Sequence, residues 1–218
     1  MTGAAGGIGA ACVAALRAAG GDVVAVDREY ELPGDVDRLA ADAGAVDVLV
    51  NCAGVGLYGP VAEVAVEDMR RVLAVNLEAP IALTRALLPG MLARRSGHVV
   101  NVASLVAHVP KRGEAAYAAS KAGLAGFTRS LRAELRGTGV GASLVSPAVV
   151  DTGFFDARGE PYGRRWPRPA PAARVADAAV DAIRRDRAEI VVPGWLTVAV
   201  RLYGGAPGLY RALSARWD

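Results

Sequence analysis

Short apolar runs, each followed by a helical pattern, constrain this chain more than any other feature. Runs at 22–27, 46–50, 98–102, 142–146 and 190–192 are rich in valine, leucine and alanine and read as strands. Helical periods fall between them, at about 8–19, 37–43, 63–95, 114–136 and 174–185. Strands alternating with helices predict an α/β fold, a doubly wound parallel sheet with helices on both faces. In such a sheet the ligand crevice lies past the carboxyl ends of the strands. Gly3–Gly9, Asp27, Asn51–Gly54, Ser104 and Pro147–Thr152 all stand at such turns. The topology therefore predicts that they meet in one crevice.

The first turn, Thr2-Gly3-Ala4-Ala5-Gly6-Gly7-Ile8-Gly9, opens a helix. Glycines there let the backbone approach a ligand, and the helix N-terminus offers free N–H groups to a phosphate. The run 22–27 ends in Asp27, close to the ~20-residue offset of a carboxylate that holds an adenosine ribose. Asp35 is a further cofactor-contacting candidate, with a loop cap as the plain alternative. Asn51-Cys52-Ala53-Gly54 follows a strand with the small residues a ligand-side turn needs.

The long helical stretch carries Met69, Val72, Leu73, Leu77, Ile81, Leu87, Leu88 and Leu92 at helical spacing. Asn76 lies on that face with Pro80 four residues on. Proline has no N–H, so the Asn76 carbonyl is left free for a water or ligand.

Tyr117 and Lys121 are four residues apart on a helix and share a face. A free phenol titrates near ~10, and an ammonium beside it favours the phenolate. The pair therefore suits proton transfer to or from an alcohol oxygen. Lys121 is one of only two lysines, the other being Lys111, and Ser104 precedes Tyr117 by thirteen residues. The plain alternative is a surface helix with an incidental Tyr and Lys.

Taken together these motifs resemble the short-chain dehydrogenase/reductase family, over residues 2 to about 152. Thr2-Gly3-x-x-x-Gly7-x-Gly9 is similar to its cofactor loop, and Asn51-Cys52-Ala53-Gly54 to its Asn-Asn-Ala-Gly turn, with Cys52 as a departure. Pro147-Ala148-Val149-Val150-Asp151-Thr152 resembles its Pro-Gly segment, with Ala148 in place of glycine. The resemblance implies a catalytic tetrad of Asn76, Ser104, Tyr117 and Lys121. Tyr117 would be the general acid–base and Ser104 would bind the reacting oxygen. Lys121 would hold the nicotinamide ribose and lower the Tyr117 pKa, and Asn76 would support a proton-relaying water chain. Cofactor contacts would come from Gly3, Gly7, Ile8, Gly9, Asp27, Asp35, Asn51, Ala53, Gly54, Tyr117, Lys121, Pro147, Val150 and Thr152. NAD is favoured through Asp27, with NADP as the alternative through Arg28. No metal is implied. The family also implies a homodimer or homotetramer, paired through the helices that carry Asn76 and Tyr117.

A single domain, 1–218, accounts for the length. Its substrate loop is placed at about 153–172, with Phe154, Phe155, Tyr162 and Trp166 as walls and Arg158, Arg164, Arg165 and Arg168 as solvated charges, a site for an acidic handle being the alternative. An apolar ketone or secondary alcohol is the expected substrate. The apolar segment 194–218 reads as a lid, a subunit contact or a weak membrane-surface helix. The net charge of +3 is spread out and argues for no nucleic-acid partner. Two cysteines fit a reducing, cytoplasmic setting, and no apolar leader or ~20-residue span is seen. Two other functions stay open: a dinucleotide-binding regulator without turnover, and an epimerase or dehydratase using the cofactor internally. Finally, only Met1 and Thr2 precede Gly3, so the first strand is expected to be truncated, with the native start lying further upstream.

Overall fold

Residues 1–163 and 167–214 are described in a computed structural model of the chain. In chain order come α1 (Gly7–Ala18), α2 (Val36–Ala43), β1 (Val48–Asn51), α3 (Val66–Leu73), α4 (Ala79–Arg94) and β2 (Gly97–Val102). They are followed by α5 (Ala115–Glu134), β3 (Val140–Pro147), β4 (Val150–Asp151), α6 (Phe154–Ala157), β5 (Ala170–Pro171), α7 (Ala172–Arg184) and β6 (Glu189–Val192). Helices α8 (Thr197–Gly205) and α9 (Pro207–Ser214) close the described chain, their Tyr203 and Tyr210 rings 5.3 Å apart.

The four apolar runs from β1 onward form one parallel sheet in the order β1-β2-β3-β6. Strand residues alternate between faces, so each run feeds two cores. Val50, Val100 and Val145 pack with Cys12 of α1 and with Val175, Ala176 and Ala179 of α7. Their neighbours Leu49, Val99 and Ala142 pack with Leu83 and Met91 of α4 and Leu131 of α5. Both faces are covered, which is why these strands read as continuous apolar runs.

The run 22–27 does not form the strand expected of it. It makes one parallel bridge, Thr2 with Val26. Val26 N–H donates to Met1 O at 2.9 Å and Thr2 N–H to Val50 O at 3.0 Å. A strand needs a neighbour over its length, and here Met1 and Thr2 alone lie between Val26 and β1 before the Gly3 turn. Val24 is correspondingly 53% exposed.

The stretch read as one helix over 63–95 is α3 and α4 joined by a π-turn at Ala74–Glu78. The wide turn falls where Pro80 has no N–H to offer the Asn76 carbonyl. Val66–Arg94 is long and apolar enough to cross a membrane by length and composition, contrary to the reading that no run qualifies. In this fold it packs against the sheet, burying Val72, Asn76, Leu83, Thr84 and Met91. After β3 come elements not expected from the sequence: α6 and a β4–β5 pair in which Val150 pairs with Ala170.

Candidate active site

A cleft of ≈ 1450 Å³ opens at the carboxyl ends of β1, β2 and β3. Gly3, Gly7, Ile8, Gly9, Asp27, Ala53, Gly54, Ser104, Tyr117, Lys121, Pro147, Val150, Thr152, Phe154, Phe155 and Tyr162 line it. Its nucleotide end is built by close backbone packing. Gly3 has φ +68°, and a Cβ on it would come within 2.7 Å of the Ala53 backbone. A Cβ on Gly7 would strike the Thr152 side chain, and one on Gly9 would fall on the Gly3 carbonyl. Thr2, not singled out from sequence, accepts the Cys52 and Ala53 N–H groups on its Oγ1, each at 3.2 Å. No side chain caps α1, whose first residues Gly7, Ile8 and Gly9 line the cleft. These features fit a dinucleotide phosphate: a glycine cradle that Cβ atoms would fill, beside an uncapped helix start.

The other end of the cleft is assembled from two elements. Ser104 ends the run from β2, while Tyr117 and Lys121 lie one turn apart on α5; all three are buried. Burial pushes the Tyr117 phenol above its ordinary range, and the Ser104 hydroxyl pulls it back; Glu114 raises it further and Arg158 lowers it. The expected net depression of the phenol does not hold, because burial outweighs it. Lys121 Nζ instead donates to Val102 O at 3.0 Å, and burial brings it down to about 8. Asn76 lies behind the cleft. Its Oδ1 accepts Val55 N–H at 2.9 Å, and its Nδ2 donates to Val55 O at 2.9 Å and Ser120 Oγ at 3.1 Å. It thus ties the loop after β1 to the helix bearing the phenol.

Two predicted cofactor contacts sit elsewhere. Asp35 starts α2, where it pairs with Arg38 at 2.9 Å and accepts Glu31 N–H at 2.7 Å. It makes no cap hydrogen bond to α2; its carboxylate is taken by Arg38 and the Glu31 N–H, away from the cleft lining. The Asn51 side chain turns into the sheet and donates to Asn101 Oδ1 at 2.8 Å; Asn101 donates on to Thr128 Oγ1 at 2.9 Å, and Thr128 to Leu124 O at 2.6 Å. Trp166, Arg164 and Arg165 lie outside the described residues. Arg158, read as a solvated charge, is instead buried against Glu114. Neither Glu114 nor Arg158 belongs to a motif; the signal would have been a carboxylate three residues before the reactive tyrosine.

The buried groups make stability depend on pH. Lys121 holds a folded value of about 8 against an ordinary 10.5, so between these the unfolded chain binds more protons. Its contribution to stability therefore rises with pH through that window. Burial pushes Cys12 up to about 12 and Cys52 up to about 11 from 9.0, so both act in the opposite sense above pH 9. Denaturant unfolding is expected to show stability rising between pH 8 and 9, with the rise lost in Lys121→Met. An unchanged slope in that variant would remove Lys121 as the cause.

A dinucleotide-sized cleft at the carboxyl ends of a parallel sheet defines a nucleotide-binding α/β protein. The family described as short chain dehydrogenase matches residues 34–163. The chain is 33% identical to D-threitol dehydrogenase of Mycolicibacterium smegmatis, covering 91% of this chain and 92% of that protein. It is 41% identical to 1-deoxy-11-beta-hydroxypentalenate dehydrogenase of Streptomyces exfoliatus, over 80% of this chain and 66% of that one. A blue fluorescent protein from a metagenomic library, solved in complex with NADPH, superposes with a TM-score of 0.77 at 28% identity, covering 88% of this chain and 94% of the other. The chain belongs to the short-chain dehydrogenase family of oxidoreductases, whose cofactor is a nicotinamide dinucleotide.

Proposed function

We propose that this chain moves a hydride between a nicotinamide cofactor and the carbonyl or alcohol carbon of a largely apolar ketone or secondary alcohol. The observation that carries the reading is the buried Tyr117, which lines the cleft together with Ser104 and Lys121. The bound nicotinamide supplies or accepts the hydride. Tyr117 gives its proton to the carbonyl oxygen in reduction and takes one from the alcohol in oxidation. Ser104 hydrogen-bonds the same oxygen. Lys121 would hold the ribose, and the Asn76 carbonyl, to which Pro80 has no N–H to offer, would seat the relaying water.

The substrate side supports an apolar ligand. Phe154 lies 5.7 Å from Tyr117, Phe155 5.8 Å from Phe154, and Tyr162 5.5 Å from Phe155, so aromatic rings continue outward from the phenol. The polyol named for the mycobacterial relative is the competing class. A panel of apolar ketones and alcohols, with D-threitol beside them, separates the two. Turnover confined to polyols overturns the apolar reading. Substrate conversion without net change in nicotinamide absorbance points to an epimerase or dehydratase. Cofactor binding without conversion points to a regulator.

NAD is our favoured cofactor because Asp27 lines the cleft, where its carboxylate would accept ribose hydroxyls and repel a 2′-phosphate. Arg28 lines the same rim, and the NADPH-bound neighbour favours the alternative. NAD is expected to bind roughly tenfold tighter, with Asp27→Asn closing the gap. Tighter NADP binding by the unaltered chain would give Arg28 the deciding role. A homodimer or homotetramer through α5 and the α3–α4 stretch that carries Asn76 agrees with the exposed Val66 and Leu73. Exposed Trp195, Val198, Leu209 and Leu213 would serve a weak membrane-surface contact, and the two unpaired cysteines suit the cytoplasm.

A further inference from the structure

Glu114 stands three residues before Tyr117 at the start of α5, with its carboxylate buried. Its Oε1 accepts from Lys111 Nζ at 2.6 Å and from Arg158 Nη1 at 2.8 Å. Arg158 comes from the substrate loop, just after α6, and its side chain is only 3% exposed. Its guanidinium lies 4.5 Å from the Phe155 ring centroid and 5.3 Å from that of Tyr58, and its buried Nε–H has no hydrogen-bond partner among the described residues. The opposite wall leaves room for it. A Cβ on Gly56 would come within 2.9 Å of Phe154 Cζ and 3.0 Å of Arg158 Cβ.

Such a pair is a poor stability device, because desolvating two charges offsets most of their attraction. Glu114, Arg158 and Tyr117 line the same cleft, which points to a different use. We infer that Glu114 and Arg158 are positioning residues for the acid–base step: their opposite charges offset one another in the cleft that the Tyr117 phenol lines, while their contact docks the substrate loop on α5. The inference rests on Tyr117 being the acid–base group. Glu114 raises the phenol and Arg158 lowers it. The other polar groups around them are the Ser104 hydroxyl, Lys111 on the shared Glu114 oxygen, and Lys121, whose ammonium is held by the Val102 carbonyl.

Two measurements test it: the pH profile of kcat/KM for alcohol oxidation, and ultraviolet titration of the phenol by difference from Tyr117→Phe. Arg158→Met removes one of the two cations on the Glu114 carboxylate, leaving Lys111, and is expected to move the midpoint up by about one pH unit. Glu114→Gln leaves the cation in excess and is expected to move it down by about as much. The double variant keeps the original net charge and is expected to return to the parent midpoint. Arg158→Lys, which keeps the charge with little change in volume, is expected to hold the midpoint even if kcat falls. Shifts of the same sign, no shift in either single variant, or a displaced midpoint in Arg158→Lys would overturn the inference. An active Tyr117→Phe would instead defeat the acid–base reading, and the phenol titration would still report on the pair.

Discussion

Tyr117→Phe is expected to lower turnover by about 10²–10⁴-fold, the usual worth of a general acid–base group, while cofactor still binds. The ring is buried and packs 5.7 Å from Phe154, so phenylalanine keeps the shape and loses only the hydroxyl. Ser104 remains to hold the substrate oxygen but has no proton relay behind it. Near-normal kcat in this variant would take Tyr117 out of the reaction. Unchanged cofactor affinity and Tm should accompany the loss, since no cradle atom is touched.

The second large effect is expected at Gly9. A methyl there would fall on the Gly3 carbonyl and come within 3.1 Å of the Ala4 Cα, both backbone of the same loop. Gly3 cannot yield, because its φ of +68° and its approach to Ala53 already fix it. Gly9→Ala should therefore force the phosphate cradle open and weaken nucleotide binding roughly 100-fold or more, equivalent to about 2.7 kcal/mol. Gly6→Ala is the matched control. Its Cβ would meet the Gly3 oxygen at 3.5 Å, an ordinary contact, so little change is expected. Equal affinities for the two variants, measured by calorimetry with NADH and NADPH, would show that packing at Gly9 does not shape the cradle.

Most of the architecture was legible because burial on both faces writes itself into β1, β2 and β3 as unbroken apolar runs. The helices carrying Tyr117 and Val175 showed the same clarity through their spacing. Where sequence reading failed, a partner was missing from local view. The run ending at Asp27 has the composition of a strand, but pairing depends on what lies beside it. The helix through Asn76 kept its apolar period, yet a π-turn adds about one residue and so about 100° of rotation. Leu73 and Leu92 are consequently 41% and 38% exposed, while Thr84 is buried. The Glu114–Arg158 contact joins residues 44 apart, and no spacing rule anticipates it. The Tyr117 proton affinity was misjudged because a charge four residues away is visible in sequence, whereas desolvation is a property of the assembled fold.

The amide chain from Asn51 through Asn101 to Thr128 has a consequence for how the sheet is assembled. β1 and β2 are short, parallel and made largely of valine and leucine, so apolar contact alone would accept several alignments. A slip by two residues keeps every side chain on its own face and costs little in packing. It would also bury the amides of Asn51 and Asn101 opposite hydrocarbon, at about 1–3 kcal/mol for each orphaned group. The polar chain thus works as an address label on otherwise interchangeable strands: it penalises wrong alignments more than it strengthens the right one, and the turns beyond Asn51 and Val102 open into the same cleft only when the address is read correctly.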